Sequence, residues 1–159
     1  MDKRRLGIGL VGAGFMNRFH VQSLVGVRDA DVAGVFSPTR ERAEALAALS
    51  KELGVGEPRV HRSVTDLVAD PSVDAVWIAS TNDSRVGVVE EIVEAIRSVK
   101  GELVGVACEK PLARNVAEAR RMLELIEGTP LLHGYLENQV FAPSVTRGKE
   151  IIWRRARTS

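Results

Sequence analysis

Residues Leu6 to Asn17, LGIGLVGAGFMN, decide the fold: they read as a β-strand running into a glycine turn that opens a helix. A literal G-x-G-x-x-G falls on Gly7, Gly9 and Gly12. That register leaves only Met1 to Leu6, mostly charged, as the buried strand, whereas a central parallel strand needs an apolar run. The register Gly12, Gly14, Asn17 instead puts Leu6, Ile8, Leu10 and Val11 in the strand. It opens the helix near Phe15, with Met16, His20 and Leu24 at i, i+4 and i+8. Gly12 then makes the tight turn and Gly14 lets backbone approach a pyrophosphate, while the helix N-terminus offers N–H donors and its dipole to the anion. Asn17 stands where a third small residue is expected, so crowding of helix against strand is expected there.

The 159 residues, 45% hydrophobic, suffice for one sizeable core. A net charge of +1 from 22 basic and 21 acidic residues gives no field for nucleic acid or an anionic membrane, and one Tyr and four Phe leave little for base stacking. No nucleic-acid or membrane partner is expected. The single cysteine, Cys108, excludes an intramolecular disulfide and fits a reducing, cytoplasmic setting. Lys3, Arg4 and Arg5 before an apolar run imitate a signal peptide, but Arg18, His20 and Gln22 occupy the place of a small-residue cleavage site. The three histidines are scattered and Cys108 has no zinc spacing, so no metal site is expected.

Downstream, strand and helix patterns alternate. Asp31 to Phe36 reads as a second strand, and Ser37-Pro38 as an N-cap with proline at the first helical position, opening a helix that stops at Gly54. Arg59 to His61 reads as a third strand, Ser63 to Ala69 as a short helix, and Ala75 to Ala79 as a buried fourth strand followed by Ser80, Thr81, Asn82 and Asp83. Val86, Val89, Val93 and Ile96 mark a helix, and Lys100-Gly101 leads to a fifth strand from Leu103 to Cys108. Asn115 and Glu118 have capping-box spacing for a helix with Val116, Ala119, Leu123 and Ile126 inward, before a sixth strand from Leu131 to Tyr135. The pattern predicts an α/β doubly wound parallel sheet, with ligands outside the carboxyl ends of the strands. Pro143 to Arg157 reads as one more helix whose Val145, Ile151, Ile152 and Trp153 lack a partner element, and Arg154, Arg155 and Arg157 as its solvated face.

The residue after strand two is where a dinucleotide fold reads the ribose, and here it is Ser37. An acidic side chain there would bind a ribose diol and repel a phosphate. Ser37 and Thr39 can instead donate hydrogen bonds to a 2′-phosphate and Arg40 can add a charged fork, so NADP is expected in preference to NAD. The missing acid also disfavours a methyl-donor-binding domain of the same topology.

With the glycine turn, the serine after strand two, the ASTND loop and the EKPLA stretch in this order, the chain resembles the Gfo/Idh/MocA family from about Leu6 to Trp153. Glu109-Lys110-Pro111 is the most specific piece, and His20 stands in its usual place behind the first turn. The resemblance implies a Rossmann domain, residues 1–136, followed by a linker and the first helix of a truncated substrate domain, residues 137–159. It implies a cofactor-binding set of Gly12, Gly14, Phe15, Met16, Ser80, Thr81, Asn82, Glu109 and Lys110, to which the ribose loop adds Ser37, Thr39 and Arg40. Lys110 would also be catalytic, reaching the substrate hydroxyl near the nicotinamide. His20 is expected to be structural.

The activity implied is hydride transfer between a nicotinamide cofactor and a sugar, polyol or related small molecule. In the family the general acid/base lies in the second domain, so this chain is expected to be catalytically incomplete. The competing reading is a non-enzymatic dinucleotide-binding module or partner subunit. The unpartnered last helix is expected to drive homo-oligomerisation or stay mobile.

Overall fold

The computed structural model describes residues 5–98 and 101–156. Lys3, Arg4, Lys100 and Arg157, which entered the sequence reading, lie outside the described residues, as does the Arg155 side chain. Six parallel strands, β1 (Leu6–Val11), β2 (Ala30–Phe36), β3 (Arg59–Val60), β4 (Ala75–Ile78), β5 (Gly105–Glu109) and β6 (Leu132–Leu136), form one sheet in the order β3-β2-β1-β4-β5-β6. The order reverses between β1 and β4. Ligands of open α/β sheets sit at that switch point, outside the strand carboxyl ends.

The strands are joined by α1 (Phe15–Leu24), α2 (Arg40–Glu52), α3 (Val64–Val68), α4 (Arg85–Arg97) and α5 (Val116–Glu127). On one face Ile8, Leu10, Val32 and Val35 pack with Val21, Leu24, Ala43 and Leu46 of α1 and α2. On the other, Val76, Ile78 and Val106 pack with Leu67, Ile92 and Met122 of α3 to α5. Ile8, Leu10 and Ile78 are all but inaccessible, and burying a side chain of this size contributes about 1.5–3 kcal/mol. β1, covered on both faces, is the apolar run that the shifted glycine register requires.

Four expectations about the helices need correction. The inward residues of α1 are Asn17, Val21 and Leu24, not Met16, His20 and Leu24; Met16 and His20 are half-buried and line a cleft. Asn17 does not crowd the strand: fully buried, its Nδ2 donates to the carbonyls of Val11 at 3.2 Å and Gly12 at 2.6 Å. The α2 helix is capped by Thr39, whose carbonyl accepts from Arg42 and Ala43, because Ser37 uses its hydroxyl in a local turn, accepting from the Thr39 N–H at 3.4 Å.

On α5 the inward stripe is Met122, Leu125 and Ile126, while Val116 and Leu123 are exposed. Both stripes suit a helical period, and packing against α4 and the sheet selects one. The Asn115 cap forms as expected, its carbonyl oxygen accepting from the Glu118 N–H at 3.0 Å. Edge strand β6 is largely exposed, and beyond it come a 3-10 turn (Asn138–Phe141) and α6 (Pro143–Ala156). Val145, Ile151, Ile152 and Trp153 of α6 are exposed.

Candidate functional site

The carboxyl ends of the strands carry two grooves separated by the first turn of α1. The first, about 260 Å³, lies among Gly12, Gly14, Ser37, Thr39, Arg42, Ser80 and Thr81. The second, about 580 Å³, is lined by Met16, His20, Glu109, Lys110, Tyr135 and Glu137, with Phe19 and Phe141 adding apolar walls.

In the first groove the two glycines do different work. Gly12 has φ +95°, and a Cβ there would stand 2.9 Å from the Ser80 amide nitrogen, so the fold itself requires glycine where β1 passes the end of β4. Gly14 has φ −86°, open to any residue, and a Cβ there would meet nothing within 4 Å. No neighbour in the fold needs that space. It suits a ligand that touches backbone: Gly14 is the N-cap of α1, the first turn holds no acidic residue, and no side chain caps its N–H groups. An anion fits there. Gly7 and Gly9 serve packing, since a Cβ on Gly7 would fall 1.8 Å from the Ser72 carbonyl oxygen and one on Gly9 would fall 2.9 Å from Val73 Cγ1.

Ser37 and Thr39 line this groove, and so does Arg42. Arg40 is exposed with its Nε on Glu44 at 2.8 Å. The sequence points to Arg40, three residues after Ser37, rather than to Arg42; two residues turn a helical side chain by about 200°, and in α2 it is Arg42 that lines the groove. Arg42 is the sole charged residue lining the groove among the described residues. Ser80 is half-buried, its hydroxyl accepting from Ser84 at 2.9 Å, and the Thr81 carbonyl accepts from the Ser84 N–H and hydroxyl. The hydrogen bond from Thr81 to the Asp83 carboxyl holds that acid below its ordinary pKa. Asn82 is half-buried and Phe15 exposed, and neither lines the two grooves.

In the second groove Glu109, although 3% exposed, is fully engaged: Oε1 meets His20 Nε2 at 2.8 Å and Oε2 accepts from the Lys110 N–H at 3.1 Å. His20 stands edge-on to Trp77, ring centroids 5.2 Å apart. His20 is thus a structural link between α1 and the end of β5. Lys110 is exposed and faces the groove, followed by a cis peptide to Pro111. Arg85, at the first position of α4 and 5% exposed, donates from Nε to the Ser80 carbonyl at 3.0 Å and from Nη1 to the carbonyls of Glu109 and Pro111. Nothing in the sequence marked it, since an arginine opening a helix is ordinarily solvated.

This geometry, a glycine turn with an uncapped helix N-terminus at the switch point of a 3-2-1-4-5-6 sheet, defines a dinucleotide-binding α/β domain. Residues 6–133 match the family model for the oxidoreductase family with NAD-binding Rossmann fold. The chain belongs to that family, Gfo/Idh/MocA, and is an NAD-binding oxidoreductase domain. It is 36% identical over 115 residues to 1,5-anhydro-D-fructose reductase of Ensifer adhaerens, covering 72% of this chain and 31% of that protein. It is 34% identical over 141 residues to inositol 2-dehydrogenase 1 of Saccharopolyspora erythraea, covering 86% and 38% respectively. The fold matches myo-inositol dehydrogenase from Lactobacillus casei, solved in complex with NAD(H) and myo-inositol, with a TM-score of 0.77 at 23% identity over 93% of this chain and 41% of that one. The chain therefore spans well under half the length of these proteins. Among the described residues no helix is long and apolar enough to cross a membrane, and no cluster of His, Cys, Asp and Glu could hold a metal ion.

Proposed function

We propose that this chain is the cofactor half of an enzyme that moves hydride between NADP and a carbinol carbon of a sugar, polyol or related small molecule. The bound cofactor supplies the hydride. The glycine turn and the α1 N-terminus hold the pyrophosphate, with Phe15 and Met16 beside it and Ser80, Thr81 and Asn82 on the facing loop. Lys110 reaches the substrate hydroxyl from its exposed position in the second groove, and Glu109 fixes the Lys110 backbone. The substrate class follows the curated relatives, which act on an anhydro-sugar and on inositol by name.

The preference for NADP rests on one observation: the groove beside Ser37 and Thr39 is lined by the cation Arg42 and no carboxylate. Arg42 supplies the fork that the sequence assigned to Arg40, whose guanidinium is turned to Glu44. Residues 137–159 serve as linker and first helix of a substrate domain. The exposed Val145, Ile151, Ile152 and Trp153 support either docking to that domain or self-association.

Calorimetry at matched ionic strength tests the cofactor reading. NADP should bind more tightly than NAD, and Arg42→Ala should reduce the preference about tenfold, as loss of a charged hydrogen bond does. Arg40→Ala should leave it unchanged. Equal affinities for NAD and NADP would overturn the preference.

A further inference from the structure

We infer that Arg85 is a positioning residue that locks the Lys110 loop to the Ser80 loop, so that the two ends of a bound dinucleotide meet a surface of fixed spacing. The inference rests on the placement of Lys110 at the nicotinamide end.

The Lys110 side chain is exposed, whereas its backbone is pinned from three directions. The carbonyl before it, of Glu109, and the carbonyl after it, of Pro111, both accept from Arg85 Nη1, and its own N–H donates to Glu109 Oε2. The same guanidinium reaches the Ser80 carbonyl through Nε at 3.0 Å. One rigid, planar group thus ties together the loops that leave β4 and β5, neighbours that flank the cofactor and substrate grooves.

Burial of a cation without an ion-pair partner is costly, which is why buried charges are normally paired. Among the described residues no carboxylate lies within ion-pair distance of Arg85, which donates instead to the carbonyl oxygens of Ser80, Glu109 and Pro111. Space-filling would be met by an apolar side chain, and α4 already buries Val89, Ile92 and Val93 for that purpose. Carbonyls on two loops require donors held at a fixed angle, which guanidinium provides and an ammonium does not. A lysine would reach one loop at a time.

The test compares two probes on the full chain: the reduced dinucleotide that wild type binds more tightly, NADPH or NADH, and its adenosine half, 2′,5′-ADP or 5′-AMP. Arg85→Gln should weaken the dinucleotide about tenfold, the scale of one positioned charged hydrogen bond, and leave the adenosine half unchanged. Arg85→Lys keeps charge and stem, carries the test should the glutamine variant not fold, and should show the same selective loss. Lys110→Met should weaken the dinucleotide alone, and adding Arg85→Gln to it should cost little more, because both act at one place. Equal losses on both probes, or additive losses in the double variant, would make Arg85 a general structural residue and overturn the inference. Wild type that binds neither probe would overturn the cofactor reading itself, a result separate from any behaviour of the Arg85 variants.

Discussion

His20 Nε2 and Glu109 Oε1 meet at 2.8 Å, joining the first helix to the end of the fifth strand across 89 positions of sequence. Nε2 carries the proton of this hydrogen bond where the Glu109 carboxylate is the acceptor. The pair also forms part of the wall of the second groove, with Trp77 edge-on to the imidazole.

Removing His20 leaves a Glu109 carboxylate, 4% exposed at the side chain, with the Lys110 N–H as its remaining partner. His20→Ala is expected to cost about 2–3 kcal/mol in urea unfolding, the usual penalty for stranding a buried charged acceptor. A cost below about 0.5 kcal/mol would mean that water replaces the imidazole without loss.

Asn17 staples the glycine turn from below through two carbonyls, and the Gly12 bond is the shorter at 2.6 Å. Asn17→Ala should destabilise by about 1–3 kcal/mol, because it strands a buried carbonyl. Dinucleotide affinity should fall along with it, since the turn that Gly12 and Gly14 form would lose its support. Unchanged unfolding in the alanine variant would show that the turn holds itself.

His61 and Asp70 set a pH dependence away from the grooves. Burial pushes the His61 pKa below its ordinary 6.5 despite Asp70 and Asp66 nearby, with Arg59 lowering it further. The folded state therefore prefers neutral His61, and stability is fully present above pH 6.5 and is lost as pH falls from there toward the folded-state pKa. For Asp70, burial raises the pKa, but the Ser72 hydrogen bonds, with Arg59 and His61, outweigh it and hold the pKa below 3.8, so its contribution is lost at still lower pH. Chemical denaturation across pH should show both declines, and His61→Asn should abolish the upper one alone. A variant that kept the upper decline would assign it to another group.

The order of elements was legible because each strand is a short apolar run and each helix has its own start and stop, as in Asn115 before α5 and Gly54 after α2. Helix phase was not. Met16 and Val116 are apolar at helical spacing, yet tertiary packing chose Val21 and Met122 instead, and a single-residue rotation is invisible to periodicity. The same limit separated Arg40 from Arg42. Asn17 was misread for another reason: its size argued against a close helix–strand approach, while the two carbonyls that use its amide appear only once the turn is folded. Arg85 was hidden because its partners are backbone atoms, which leave no trace in residue type.

On α6, Trp153 is 59% exposed and Ile152 65%. Association through this face should give a concentration-dependent mass in light scattering for the 159-residue chain. Trp153→Glu should return it to monomer mass. A wild type monomeric at all concentrations would remove self-association from the account.

In the proposed function Gly14, and not the earlier glycines, makes room for the dinucleotide. A Cβ at Gly14 meets no atom within 4 Å and needs no unusual backbone, so Gly14→Val should fold as wild type does, whereas the added Cβ of Gly7→Ala and Gly9→Ala intrudes on Ser72 and Val73. Titration of NADPH into the three variants, with unfolding midpoints measured on the same samples, separates space needed by the fold from space needed by the ligand. Gly14→Val should lose binding at unchanged stability, and Gly7→Ala and Gly9→Ala should lose stability while whatever remains folded still binds. Binding retained by Gly14→Val and abolished by Gly9→Ala would contradict the account.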